Sequence, residues 1–242
     1  MTDDTPAAAA DSQPPRRALW RRILDSPLFH LAAAIIVTGL VLSFIVKPYL
    51  VPSGSMEQTL QPGDRVLVLR PAYVGGGPAT GDVIVFDADE TWGPHADRHD
   101  NVFIGILRWI GEWSGFGASG DHTLIKRVIA GPGQTAECCT ADGRITVDDV
   151  PLDEPYVTND LVFEPGTMDC TSSPASLRCF AAVTVPEDSY LVLGDNRANS
   201  SDSAYLCRTG EDAEGCWRWA HRDGIVGRAV AIIWPVTRWS GL

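Results

Sequence analysis

The sequence predicts a mainly β domain, built on antiparallel sheet, behind one N-terminal transmembrane helix. Three observations lead there: an uncharged apolar run at residues 28–46, a series of short Val/Ile-rich runs after it, and Gly/Pro/Asp turn signals between those runs. With 45% hydrophobic and 21% charged residues, the 242-residue chain has ordinary globular usage, which excludes disordered and collagen-like classes. A formal net charge of −12 excludes a nucleic-acid binder, which needs a basic face to neutralise phosphates.

Taken in chain order, the opening MTDDTPAAAADSQPP is of low complexity, so residues 1–27 are expected to form a partly disordered tail. The run LFHLAAAIIVTGLVLSFIV at 28–46 carries no formal charge, and as a helix it covers about 28 Å, the depth of a bilayer's hydrocarbon core. A cleaved signal peptide fits less well, because its apolar region is only about 7–15 residues long and a small-residue cleavage site should follow. Here KPYLVP follows. Arg16, Arg17, Arg21 and Arg22 precede the run and only Lys47 lies close behind it, so the positive-inside bias leaves 1–27 in the cytoplasm and residues 47–242 outside.

In the outer domain, RVLVL (65–69), DVIVF (82–86), HTLIKRVIA (122–130), RITVD (144–148), SYLVLG (189–194) and IVGRAVAIIWP (225–235) read as strands. The last is too short and too charged for a second span. NVFIGILRWIGEWSGFG (101–117) is the exception, with Val102, Phe103, Ile106, Trp109, Ile110 and Trp113 at helical spacing. That helix either packs on the β domain or lies in the lipid interface. All six cysteines (Cys138, Cys139, Cys170, Cys179, Cys207, Cys216) fall in the outer domain, which suggests disulfides in an oxidising compartment. The pairing stays open, with Cys170–Cys179 and Cys207–Cys216 favoured; without a CxxC pair, zinc is a poor rival.

Three stretches can carry chemistry. Val51-Pro52-Ser53-Gly54-Ser55-Met56 can form a tight turn that presents one hydroxyl with backbone N–H groups near it, although such a string alone also reads as a linker. Lys126 stands on the apolar strand Thr123–Ile129, and Lys47 and Lys126 are the only lysines among 19 basic residues. A lysine desolvated on such a strand loses its proton more readily, and a neutral amine can take the proton of a serine hydroxyl. Gly194-Asp195-Asn196-Arg197-Ala198-Asn199-Ser200-Ser201-Asp202-Ser203 follows an apolar strand; its Arg197 and Asp202 could pair, and its serines could bond a nearby amine. The outer-domain histidines His95, His99, His122 and His221 sit in loop or charged contexts, and no HExxH, P-loop or GxGxxG occurs.

In this order behind a single anchor, PSGSM, LIKRVIAGPG and GDNRANSSDS resemble the bacterial type I signal peptidases, over roughly residues 20–235. The resemblance implies a signal-peptidase-like β catalytic domain and a membrane-bound serine endopeptidase. Such an enzyme removes N-terminal signal peptides from exported preproteins after an Ala-X-Ala-like site, through an acyl-enzyme. By motif, Ser55 is implied as nucleophile and Lys126 as general base. Ser53 would join the Ser55 N–H in the oxyanion hole, and Ser200 would orient the lysine amine. Arg127 with Asp195, and Arg197 with Asp202, match supporting salt bridges. Tyr49, Val51, Pro52, Met56, Leu60, Leu124 and Ile125 match the lining of small apolar substrate pockets. The implied partners are signal peptides, membrane lipid and the protein-export machinery; no metal or organic cofactor is implied, and no nucleic acid. Three positions depart from the family's pattern: Ala204 follows Asp202-Ser203 where an arginine is common, Ala198 replaces a frequent acidic residue, and Leu124 a frequent aromatic. A catalytically dead, membrane-tethered binding module is the alternative reading from another class.

Overall fold

Twelve strands among the described residues build two antiparallel sheets. The computed structural model describes Trp20 and residues 23–93, 122–208 and 215–242, with the side chains of residues 42 and 43 excepted. The chain forms two units, Met1–Val41 and Leu42–Leu242. Helix α1 spans Pro27–Phe44, 18 residues without a charge, and exposes Leu28, Leu31, Ile35, Ile36, Val37, Leu40 and Phe44. Proline at its first position suits a helix start, where an N–H would lack a partner anyway. Among the described residues no helix is long and apolar enough to cross a membrane. The expected helix at 101–117 lies outside the described residues.

The larger sheet runs in the order β1-β2-β11-β3-β4-β9-β10, with β12 against β11. Its strands are β1 (Val46–Leu50), β2 (Arg65–Leu69), β3 (Val83–Asp87), β4 (Thr123–Ala130), β9 (Ser189–Leu193), β10 (Ala220–His221), β11 (Ile225–Trp234) and β12 (Ser240–Gly241). Strand alternation divides their side chains between two cores. Val83 and Val85 of β3 pack with Val66, Val68, Ile125 and Ile232, while Ile84 and Phe86 pack with Val128, Tyr190 and Val192. Each fully buried side chain of this kind contributes about 1.5–3 kcal/mol. The smaller sheet, in the order β7-β6-β5-β8, is inserted between β4 and β9. It comprises β5 (Thr135–Cys138), β6 (Ile145–Val147), β7 (Val150–Pro151) and β8 (Phe180–Thr184). Ala136, Ile145, Val147 and Phe180 pack there with Ile129, Leu191 and Leu193, so the insert leans on the strands that carry the motifs.

Two connections position the site. Between β1 and β2 the chain leaves the sheet at Val51 and returns at Asp64. The excursion is closed by Val51 N–H donating to Asp64 O (2.8 Å) and Gly63 N–H donating to Val51 O (2.9 Å). Gly63 has φ +93°, a left-handed conformation that favours glycine at this turn. Met56 and Leu60 drop from the excursion into the Val66–Val85 core and pin it. After β9, Ser203 hooks the 194–203 segment back to the strand, exchanging bonds with Val192 through its Oγ and N–H (2.9 and 3.1 Å). The cysteines form three pairs at disulfide distance: Cys170–Cys179, Cys207–Cys216 and the adjacent Cys138–Cys139.

Candidate active site

The Val51–Asp64 excursion and the segment after β9 meet over β4, and there Lys126 Nζ donates a 2.6 Å hydrogen bond to Ser55 Oγ. Both groups are buried, Lys126 at 4% exposure and Ser55 at 8%. Burial pushes the lysine amine down to about 8, against an upward pull from the carboxylates of Asp202 and Asp195. An ammonium at this position would forfeit its hydration, so the neutral amine is favoured well below its usual range.

The two polypeptide segments are stitched together around Ser55. Asn196 N–H donates to Ser55 O at 3.0 Å, and Asn196 Nδ2 donates to Gly54 O (2.9 Å) and to Glu57 Oε2 (3.0 Å). Asn159 Nδ2 bonds Asn196 Oδ1 at 2.7 Å and fixes the amide's orientation. Gly194 makes the contact possible, since a Cβ there would lie 2.5 Å from Ser55 O and 2.3 Å from Ser200 Oγ. Thr59 Oγ1 adds a 2.5 Å bond to Asp195 Oδ2.

The expected pair of Arg127 and Asp195 is present as a two-bonded fork, Nε to Oδ1 at 2.8 Å and Nη2 to Oδ2 at 2.6 Å. Arg127 also donates to Gly81 O and lies over the Tyr156 ring, 3.9 Å from its centroid. Asp195 is wholly buried, and a planar guanidinium suits such a carboxylate better than an ammonium would.

The other expected bridge is corrected. Arg197 does not pair with Asp202; it pairs with Glu154 and donates through Nε to Gly194 O at 3.0 Å. Asp202 folds back on its own segment, accepting from Gly194 N–H (3.4 Å) and Ala204 N–H (3.3 Å), and its cationic partner is Arg208 at 3.1 Å. Ser200 is buried beside Gly194, but its Oγ has no hydrogen-bond partner among the described residues. The bond expected from it to the lysine amine is therefore not made; the amine's bond goes to Ser55.

Of the expected pocket residues, Tyr49, Val51, Met56, Leu60 and Ile125 share one core beneath the 51–64 excursion, where Met56 and Leu60 are sealed from solvent. Pro52 and Ser53 are exposed above them. Leu124 is the exception, because it alternates away from Ile125 and packs with Phe86 and Val192. A separate cleft of about 830 Å³, rimmed by Asp87, Asp89, Asp188, His221, Arg222 and Asp223, includes neither Ser55 nor Lys126. Glu154, Asn159 and Arg208 escaped the sequence reading, since no spacing links them to the motifs; Asn196 lies inside a motif and needed only its amide considered.

The chain matches the family model described as signal peptidase, peptidase S26, over residues 25–234. It is 35% identical over 259 residues to a probable signal peptidase I of Mycobacterium leprae, covering 98% of this chain and 83% of that protein. It is also 35% identical over 255 residues to signal peptidase I of Mycobacterium tuberculosis, covering 98% of this chain and 80% of that one. To signal peptidase IB of Staphylococcus aureus it is 28% identical over 218 residues, or 88% and 91% of the two chains.

Proposed function

The chain belongs to the signal peptidase family, peptidase S26, and from that premise we infer a Ser–Lys endopeptidase that cleaves signal peptides from exported preproteins. One observation carries the catalytic assignment: the 2.6 Å bond between a buried lysine, whose proton is held less tightly than usual, and the Ser55 hydroxyl. Neutral Lys126 takes the Ser55 proton as Oγ attacks the carbonyl carbon of the residue before the cut. The tetrahedral oxyanion is received by the Ser55 N–H and the Ser53 hydroxyl. Lys126 returns the proton to the leaving amine, and an ester to Ser55 remains. A water that loses its proton to Lys126 then releases the signal peptide.

Apolar surface around Val51, Pro52 and Ile125 seats small side chains, which gives an Ala-X-Ala-like preference; Tyr49, Met56 and Leu60 form its floor. The run 28–46 anchors the enzyme with its tail in the cytoplasm. Ser55, nine residues beyond that run, stays close to signal peptides leaving the export machinery. The test is cleavage of a preprotein peptide by full-length protein in detergent, with mass-spectrometric assignment of the cut. A cut after Ala-X-Ala that vanishes in Ser55→Ala supports the reading. Cleavage retained in Lys126→Arg, whose guanidinium stays protonated, overturns it.

A further inference from the structure

Asp202 is a carboxylate with no exposure to water, and its own segment offers it no cation within reach: Ser203 and Ala204 follow it. Its charge is met from elsewhere. Arg208 Nη1 reaches Asp202 Oδ1 at 3.1 Å, with the two side chains 5% and 0% exposed. Asp202's other bonds, from Gly194 N–H and Ala204 N–H, are long and neutral. Among the described residues Arg208 is its only ion-pair partner. We propose that Arg208 is a positioning residue which balances Asp202, so that Lys126 can release its proton, and that the Cys207–Cys216 pair holds Arg208 in place. The proposal rests on reading Lys126 as the base.

The electrostatic neighbourhood of Lys126 leaves Asp202 decisive. Asp195 and Asp202 are the carboxylates that bear on its amine. Asp195 is already held by both arms of Arg127. On β3 the residue facing Lys126 is Ile84, and on β9 Leu193 and Val192, which stand opposite Arg127 and Val128, carry no charge. From the 51–64 excursion Glu57 bonds Asn196, and Arg197 is paired with Glu154. With Arg208 gone, the Asp202 charge that already bears on the Lys126 amine would be unbalanced, and Lys126 would hold its proton more tightly.

Arg208 is held by little of its own. It closes α2, a single turn at Tyr205–Arg208 begun by Tyr205 N–H to Asp202 O (3.1 Å) and continued by Arg208 N–H to Ala204 O (3.0 Å). A helix this short has no stability alone. The residue beside it, Cys207, meets Cys216 with Cα atoms 4.9 Å apart. Two residues beyond, Arg218 N–H donates to Ser203 O (3.1 Å) and its Nη1 to Ser201 Oγ (2.7 Å). The cysteine pair thus ties α2 to the stretch 216–218, which is itself fastened to residues 201–203.

The experiment is the pH dependence of kcat/KM for the full-length protein in detergent on an Ala-X-Ala peptide. In Arg208→Met the acid limb should move up by about one pH unit, giving about tenfold less activity at pH 7 and recovery at high pH. Arg208→Lys should restore most of the loss, and Asp202→Asn/Arg208→Met should bring the limb back to its parental place. Cys207→Ala/Cys216→Ala should move it the same way by less. An unmoved limb in Arg208→Met, or a uniform loss of rate at every pH, overturns the proposal. So does a double variant displaced as far as Arg208→Met. If Arg208→Met does not fold, Arg208→Gln, which keeps a donor without the charge, decides by the same criterion. An unmoved limb in the cysteine variant removes the pair's part. Lys126→Met serves as control: if it cleaves, the dyad reading has failed rather than this one.

Discussion

Each of the two sheets has an arginine–aspartate pair beside it, a two-bonded fork at the larger and a single Nε bond at the smaller. On the larger sheet Arg127 meets Asp195 with 12% and 0% of their side chains exposed; at the β5–β6 turn of the smaller sheet Arg144 meets Asp142 with 50% and 65% exposed. The Nε-to-carboxylate distances are 2.8 and 3.0 Å. Beyond the fork's second bond, what separates the pairs is water. Around Lys126 the protein has replaced solvent with fixed partners, so each charge depends on its neighbour and the loss of one strands another. At the β5–β6 turn solvent can answer either charge alone. Reactivity belongs where hydration has been removed, and that is where the desolvated amine sits.

The largest effect tests the chemistry that this dryness allows. Ser55→Ala and Lys126→Met should each lower cleavage on the order of 10⁴-fold, and the double variant should be no worse than either, because the pair acts as a unit. Rates measured on one preprotein peptide check this; multiplicative losses would show two groups working separately.

Next comes the buried pair. Asp195→Ala leaves the Arg127 guanidinium without its carboxylate and should destabilise the fold by about 3–5 kcal/mol, read by denaturant unfolding. Arg127→Ala should cost a similar amount, and the double variant less than the sum. Additive losses would place these two charges in the same regime as Arg144 and Asp142.

How much of this was legible follows the same division. Ser55 and Lys126 stand in short motifs whose local backbone does the work, and strand alternation along Thr123–Ala130 places Leu124 and Ile125 in different cores. The resemblance nevertheless grouped those two as one pocket lining, which the sheet separates. Strand β1 was not expected because Lys47 and Pro48 interrupt its pattern; both are tolerated at a sheet edge, where Val46–Leu50 has a neighbour on one side only. Strand β8 was hidden because Ala181, Ala182 and Thr184 offer no strong alternation and three of its five residues are exposed. The Arg197–Asp202 expectation failed for a reason of reach. Proximity in sequence suggested the bond, but Glu154, 43 residues away, is brought to Arg197 by the inserted sheet, and no local spacing encodes that.

A pH titration of stability sharpens the contrast. Lys126 titrates near 8 in the folded protein, held down by burial, and near 10.5 when unfolded. Between those values the unfolded chain binds more protons than the folded one, so stability should rise with pH across the window by about 3 kcal/mol. Below about 8 both states carry the proton and the burial cost is met in full. Lys126→Met should be more stable than the parent at neutral pH and should lose this rise. Denaturant midpoints from pH 7 to 10.5 measure it; a parental slope in the variant would mean that another group titrates there.

The smallest expected change comes from Arg144→Ala. The turn it belongs to does not rely on the ion pair. Thr140 N–H donates to Arg144 O and Arg144 N–H to Thr140 Oγ1, each at 2.9 Å, and Gly143 N–H closes onto Thr140 O at 2.9 Å. Five of the six groups in these bonds are main chain and survive the substitution, while the sixth, Thr140 Oγ1, also bonds Asp142. The lost guanidinium leaves Asp142 to water, which already reaches most of it. The melting temperature should therefore stay within about 1 °C of the parent, at low salt as at high. A fall of several degrees that disappears in 1 M salt would mean that the exposed pair is worth as much as a buried one, and burial would no longer explain the difference between the two sheets.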